Sequence, residues 1–228
     1  MNPLLKKILI IGSILLLPSI FYLVLITGKN KVKPLEIYGP KEAVVNPQTG
    51  KTDTVYHTIH PFKLIAHTGD TVTQALVKDK IFVTDFFFAT CKSICPKMSN
   101  QLMRVQDKFA QDKNVLIISH SVDPQIDTPE NLMQYAVKYR ALKDKWYFLT
   151  GDKKQIYDLA RYSYYMPVQE GNGGDHDFIH SEQFVLVDNH GRIRGYYDGT
   201  NRNDVDRLME EIKVLLFEMK EEKSAEKK

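Results

Sequence analysis

The sequence has no excess of charge of either sign. Its 228 residues carry 31 Lys and Arg against 28 Asp and Glu, and the basic residues are scattered rather than gathered into a stripe, so nucleic acid is not an expected partner. Cysteine is nearly absent. Only Cys91 and Cys95 occur, and neither stands just after the early apolar stretch, where a lipoprotein needs its cysteine. No small-residue cleavage site follows that stretch, which argues against a removed signal peptide. The early segment is neither Arg-rich nor Ser-rich, so it does not resemble a mitochondrial transit peptide. There is no internal repeat.

What is present begins with that stretch. Ile8 to Gly28 carries no charged side chain, and at about 1.5 Å per residue it makes roughly 30 Å of helix, enough to cross a bilayer core. We expect an uncleaved, single-pass anchor over residues 1–28 in a bacterial inner membrane. Lysines stand on both sides of it (Lys6 and Lys7 before, Lys29, Lys31 and Lys33 after), so the positive-inside rule leaves the orientation open. The lysine- and proline-containing stretch 29–59 suits a tether or a surface-hugging arm, residues 60–220 are expected to form one compact domain, and 221–228 a disordered charged tail.

Within the domain, Phe62–Ile65 and Thr71–Thr73 flank the turn His67-Thr68-Gly69-Asp70 as a hairpin. Ile81–Phe88 is dense in β-branched and aromatic residues, as a central strand buried on both faces should be. Met98, Leu102, Val105 and Phe109 then recur at helical spacing, and Val115–Ile118 follows as a second buried strand. Asp127-Thr128-Pro129-Glu130 supplies a cap and a first-turn proline for another helix. Trp146–Leu149 reads as a strand, Gln155–Tyr162 as a short helix, Phe184–Val187 and Ile193–Tyr197 as a hairpin, and Asn203–Lys220 as a closing helix. Alternating strands and helices imply an α/β fold with a central mixed sheet flanked by helices. Thioredoxin-like folds have this plan, with a cysteine pair between a central strand and the next helix.

The chemistry lies in Cys91-Lys92-Ser93-Ile94-Cys95, one residue longer than the redox C-x-x-C spacing. Sulfurs at the end of a strand and the start of a helix meet backbone N–H groups and the positive helix end, which favour thiolates, and Lys92 adds to the effect. Thiolates select Cu(I). The pair also admits an inert disulfide, whose small loop would add comparatively little stability, or a redox-active dithiol. Among seven histidines, His180 stands just before a strand, where an imidazole can reach the sulfurs. His176 lies in a Gly-rich stretch, and His57, His60, His67, His120 and His190 read as solvated or satisfied. Asp123 reads as a strand-end residue and Asp127 or Thr128 as a helix cap, rather than as ligands, carboxylates being hard and Cu(I) soft.

Three blocks together, Thr90-Cys91-Lys92-Ser93-Ile94-Cys95-Pro96, Ser121-Val122-Asp123-Pro124-Gln125-Ile126-Asp127-Thr128-Pro129 and His180 before its strand, resemble the Sco/SenC family of copper chaperones for cytochrome c oxidase. Tyr38-Gly39-Pro40 resembles that family's lead-in to its domain. The resemblance implies a thioredoxin-like fold, an N-terminal membrane anchor, and one copper ion, Cu(I) or Cu(II), held by Cys91, Cys95 and His180. It implies as partner the binuclear copper site of oxidase subunit II, by copper delivery or by reduction of that site's cysteines, with other copper chaperones or thioredoxin-like reductants as further partners. The soluble domain is then expected in the periplasm, which admits an oxidised dithiol. One departure is visible: Lys92 stands where the family usually has proline. A thiol-disulfide oxidoreductase is the rival reading, and a peroxiredoxin-like peroxidase a weaker third.

Overall fold

The computed structural model describes residues 3–27, 33–45, 47–48, 50–166 and 181–226. The chain forms two compact units, Met1–Lys33 and Pro34–Lys228. The first is helix α1, Pro3–Thr27, with Pro18 inside it. Among the described residues no helix is long and apolar enough to cross a membrane. Over the stretch expected to span a membrane a 25-residue helix forms, and the side chains at 8–11 and 24–27, which carry much of the apolar run, lie outside the described residues.

The second unit is built on strands β1 (Lys41–Val45), β2 (Thr52–Tyr56), β3 (Lys63–Ala66), β4 (Thr71–Thr73), β5 (Ile81–Phe87), β6 (Val115–Ser121), β7 (Trp146–Thr150), β8 (Gln183–Val187) and β9 (Ile193–Asp198). Helices α2 (Ile94–Lys108), α3 (Pro129–Lys138), α4 (Lys153–Asp158) and α5 (Arg202–Ala225) accompany them. Strands β3 to β9 form one sheet in the order β4-β3-β7-β6-β5-β8-β9, parallel across β5–β6–β7 and antiparallel elsewhere. This is the mixed sheet expected of a thioredoxin-like fold. Every residue of β5 and of β6 is buried, as an apolar strand covered on both faces must be. One face packs Ile81, Val83, Phe87 and Ile117 against Met98, Leu102 and Val105 of α2 and Val205, Leu208 and Ile212 of α5. The other packs Phe82, Phe86, Leu116 and Ile118 against Phe62, Ile156, Tyr157 and Tyr164. Each such side chain contributes about 1.5–3 kcal/mol by leaving water.

Local signals set the helix starts. The Thr128 hydroxyl accepts from the Asn131 N–H at the head of α3, and the Asp152 carboxylate accepts from the Gln155 N–H at 2.7 Å at the head of α4. The expected helix over Gln155–Tyr162 is instead α4 followed by a π-helical turn, Leu159–Ser163.

Toward the N-terminal end of this unit, residues 34–59 lie along the domain: β1 and β2 pair as an antiparallel ribbon, and Arg194 donates to the Leu35 carbonyl at 2.8 Å and the Glu36 carbonyl at 3.1 Å. Arg194 is itself held by Asp188 and Glu218, and the Tyr38 N–H donates to Ile193. Gly191, at a positive φ of 77° that the turn requires, offers its carbonyl to the Ile59 N–H at 2.8 Å. At the other end, α5 continues through Ala225 rather than dissolving at Glu221, with Glu222 meeting His190 at 3.0 Å.

Candidate metal centre

Strand β5 delivers the chain to Phe88, whose carbonyl accepts the Cys91 N–H at 3.2 Å in a tight turn. Ser93 then stands at the N-cap position of α2, and Cys95 lies in its first turn. The two cysteines are free, Cys91 half-buried and Cys95 buried. The Cys95 N–H points at the Cys91 sulfur at 3.5 Å, and the Ser93 hydroxyl lies 3.7 Å from the same sulfur. Burial alone would raise the Cys91 thiol, but hydrogen bonds from the Cys95 thiol, from the Cys95 and Ser93 N–H groups and from the Ser93 hydroxyl bring it down to about 7. Cys95 goes the other way. Burial pushes it up to about 12, and the charges of Cys91 and Asp85 add to the rise. One sulfur is thus thiolate-prone and reachable while its neighbour is held back, an arrangement made by the helix start rather than by a cationic side chain. Lys92 is exposed to solvent, where its charge is screened.

The segment 121–128 lies against this turn. The Val122 N–H donates to the Phe87 carbonyl at 2.8 Å, and the Asp127 carboxyl accepts from the Ala89 N–H at 3.0 Å and the Ser121 hydroxyl at 2.6 Å. Of the two candidate caps, Thr128 caps α3 and Asp127 faces the cysteine loop. Burial raises its carboxyl against the lowering effect of those two donors. Asp85, beneath the site on β5, passed unnoticed in the sequence. An acid inside the apolar run Ile81–Phe88 was the signal for it. Burial pushes its carboxyl up to about 7 even though Ser119 donates to it at 2.5 Å.

His180 and His176 lie outside the described residues. Ser181, next in the chain after His180, is buried two residues before β8, which pairs with β5. Among the described residues no group of three or more His, Cys, Asp or Glu gathers as a metal site; two soft thiols on one turn are the donors the described chain supplies, and they suit Cu(I). Of the other histidines, His57 meets the Ser163 carbonyl at 2.7 Å, His67 accepts from the Phe148 N–H and His190 meets Glu222. His60 is exposed. His120 departs from expectation: it sits inside β6, fully buried, with neither ring nitrogen hydrogen-bonded.

The family model described as SCO1/SenC matches residues 50–216. The chain belongs to the SCO1/SenC family. The SCO1 protein homolog of Bacillus subtilis (strain 168) is 32% identical over 163 residues, 71% of this chain and 84% of the relative. Among solved structures, BsSco, described as having a disulfide switch and as a member of the Sco family of cytochrome c oxidase assembly proteins, is 31% identical with a TM-score of 0.59, covering 69% of this chain and 92% of its own. Arabidopsis thaliana ScoI with copper bound is 27% identical with a TM-score of 0.56, over 71% and 99%. The copper-handling family expected from the three sequence blocks is thereby reached by an independent route.

Proposed function

We propose that this SCO1/SenC chain is a membrane-anchored copper carrier, taking one copper ion through Cys91, Cys95 and His180 and supplying it to the binuclear copper site of cytochrome c oxidase subunit II. The observation that carries the reading is the unequal free dithiol at the start of α2: Cys91, lowered to about 7, offers a thiolate at the surface, and Cys95 stands behind it. Copper is the cargo. Soft sulfur donors favour Cu(I), and a third ligand on the mouth of the site completes a low-coordinate set that a recipient's own thiolates and imidazoles can take over by ligand exchange. His180 fits that place by its position in the chain, directly before buried Ser181 and the strand that joins β5. The copper-bound Arabidopsis relative supports the cargo, and the oxidase-assembly role of BsSco supports the recipient.

The anchor is α1. Leu15, Leu16, Leu17 and Phe21 are each more than 60% exposed in it, an apolar surface that water does not tolerate and lipid does. Orientation follows from the chemistry: the compact unit faces the periplasm of a bacterial inner membrane, where a dithiol can be oxidised and reset.

A second reading, thiol-disulfide exchange, is favoured by the same inequality of the thiols. The Cys91 thiolate attacks one sulfur of a partner disulfide, and the partner's other sulfur leaves and takes a proton. Cys95 gives up its proton and attacks the Cys91 sulfur, releasing the partner's second thiolate. Two electrons have passed to the partner, and an external thiol reductant resets this chain. Cytochrome oxidase activity in a deletion strain complemented with His180→Ala separates the two. The carrier reading expects failure at limiting copper and recovery with added copper; full activity at limiting copper would reject it in favour of exchange.

A further inference from the structure

We infer that Asp127 is the positioning residue of the cysteine turn: its buried carboxyl, tied to Ser121, holds the Ala89 N–H and with it the backbone that faces the Cys95 sulfur and ties down the Cys91 N–H. Asp127 has no exposed surface. One oxygen accepts from Ser121 and from Ala89, and the other is buried without a hydrogen-bond partner. Burying an acid in this way is unfavourable, and helix capping does not account for it, because Thr128 does that work for α3.

What the carboxyl holds is the three-residue segment from which the site hangs. The Phe87 carbonyl is taken by the Val122 N–H, the Phe88 N–H faces the Cys95 sulfur, the Phe88 carbonyl accepts the Cys91 N–H, and the Ala89 N–H is taken by Asp127. The 121–128 brace thus grips the segment at both ends, and Phe88 between them contacts the cysteines. The brace is stiff on its own account. The Asp127 and Ile126 N–H groups donate to the Asp123 carbonyl at 2.8 and 3.1 Å, and the Asp123 N–H donates to the Ser121 hydroxyl at 3.1 Å. Releasing Ala89 loosens the turn, takes N–H donors from the reduced sulfurs and lets them approach disulfide geometry more freely. Both effects move the dithiol toward oxidation.

The inference rests on Cys91 and Cys95 as the reactive pair, and its test needs no metal. The full-length, metal-free chain in detergent is equilibrated with a dithiothreitol redox buffer, and hydrogen exchange of the peptide around Ala89 is followed by mass spectrometry. Asp127→Ala should shift the thiol-disulfide constant about tenfold toward the disulfide, about 30 mV for two electrons, and speed exchange at Ala89. Asp127→Asn keeps an amide oxygen for the Ala89 N–H and should restore most of both. Ser121→Ala, which leaves the carboxyl in place but unsteadied, should shift the constant about threefold. A folded Asp127→Ala chain with the wild-type constant would overturn the role, as would Asn behaving like Ala. Should Asp127→Ala fail to fold, an unchanged constant in Ser121→Ala overturns it instead. These shifts in a chain that takes up no copper would sink the carrier reading and leave the positioning role standing.

Discussion

The two faces of the large sheet treat their buried titratable groups, Asp85 and His120, in opposite ways. Neighbouring strands set Asp85 against Ser119 and, one residue on, Phe86 against His120, so the first pair points to the α2 face and the second to the other. On the α2 face the groups are tied: Ser119 donates to Asp85, the Trp146 ring N–H donates to Ser119 at 2.9 Å, and the Ser99 and Tyr135 hydroxyls meet at 2.9 Å. On the far face His120 is stacked on Phe86 at 5.0 Å, flanked by Phe62 and Tyr164, and neither ring nitrogen finds a partner. The contrast teaches where position matters. Asp85 is fixed by a directed hydrogen bond, whereas His120 is held by ring packing that accepts a polar ring in its neutral state, although Thr84 and Tyr157 on that far side donate to the Ile118 and Val122 carbonyls. Burial pushes Asp85 up to about 7 and His120 down to about 3.

Those two groups give opposite pH dependences. Asp85 binds its proton more tightly folded than unfolded, so its stabilising contribution is complete below about pH 4 and is lost as pH rises to about 7. For a shift of this size the loss is about 4 kcal/mol. Unfolding in urea followed by Trp146 fluorescence should show Asp85→Asn gaining about that much on wild type between pH 4 and pH 7; a difference that does not change with pH would break the comparison on the α2 face.

For His120 the unfolded chain takes up the proton first, below about pH 6.5, and the folded chain only near pH 3. Wild type therefore loses stability as pH falls through that window, by about 3 kcal/mol at pH 4. His120→Leu should remove that slope in the same urea experiment, and an equally steep acid loss in the variant would mean that His120 is not the group responsible.

Ser119→Ala sharpens the contrast with a smaller effect. It leaves Asp85 and the Trp146 N–H unpaired together, and should lower stability by about 1–2 kcal/mol at pH 4, where the folded chain keeps Asp85 protonated. A neutral outcome there would mean that the network is decorative.

Most of the fold was legible because its signals are local. The apolar runs of β5 and β6, the Thr128-Pro129 start of α3 and the turn between β8 and β9 each announce themselves within a few residues. What was not legible depends on partners far along the chain. Nothing near Leu35 says that Arg194 will hold it, so the arm reads equally as a tether or as a surface-hugging segment, and nothing near Glu222 says that His190 will meet it, so the end of α5 reads as loose. In the site, the cysteine pair was plain from its spacing. Asp127 and Thr128 read alike as caps in the sequence, since only the folded chain brings Ala89 to Asp127. Asp85 was hidden by the apolar residues around it, and His120 was placed at the end of a strand rather than inside it.

The central claim is that the cysteine turn at the head of α2 holds copper. An anaerobic Cu(I) titration of the full-length chain in detergent, against a competing chelator, tests it most directly. The account expects one copper per chain for wild type, loss of tight binding in Cys91→Ser and in Cys95→Ser, and weaker binding in His180→Ala with a changed absorption spectrum of the Cu(II) form. Undiminished affinity in both cysteine variants would contradict it.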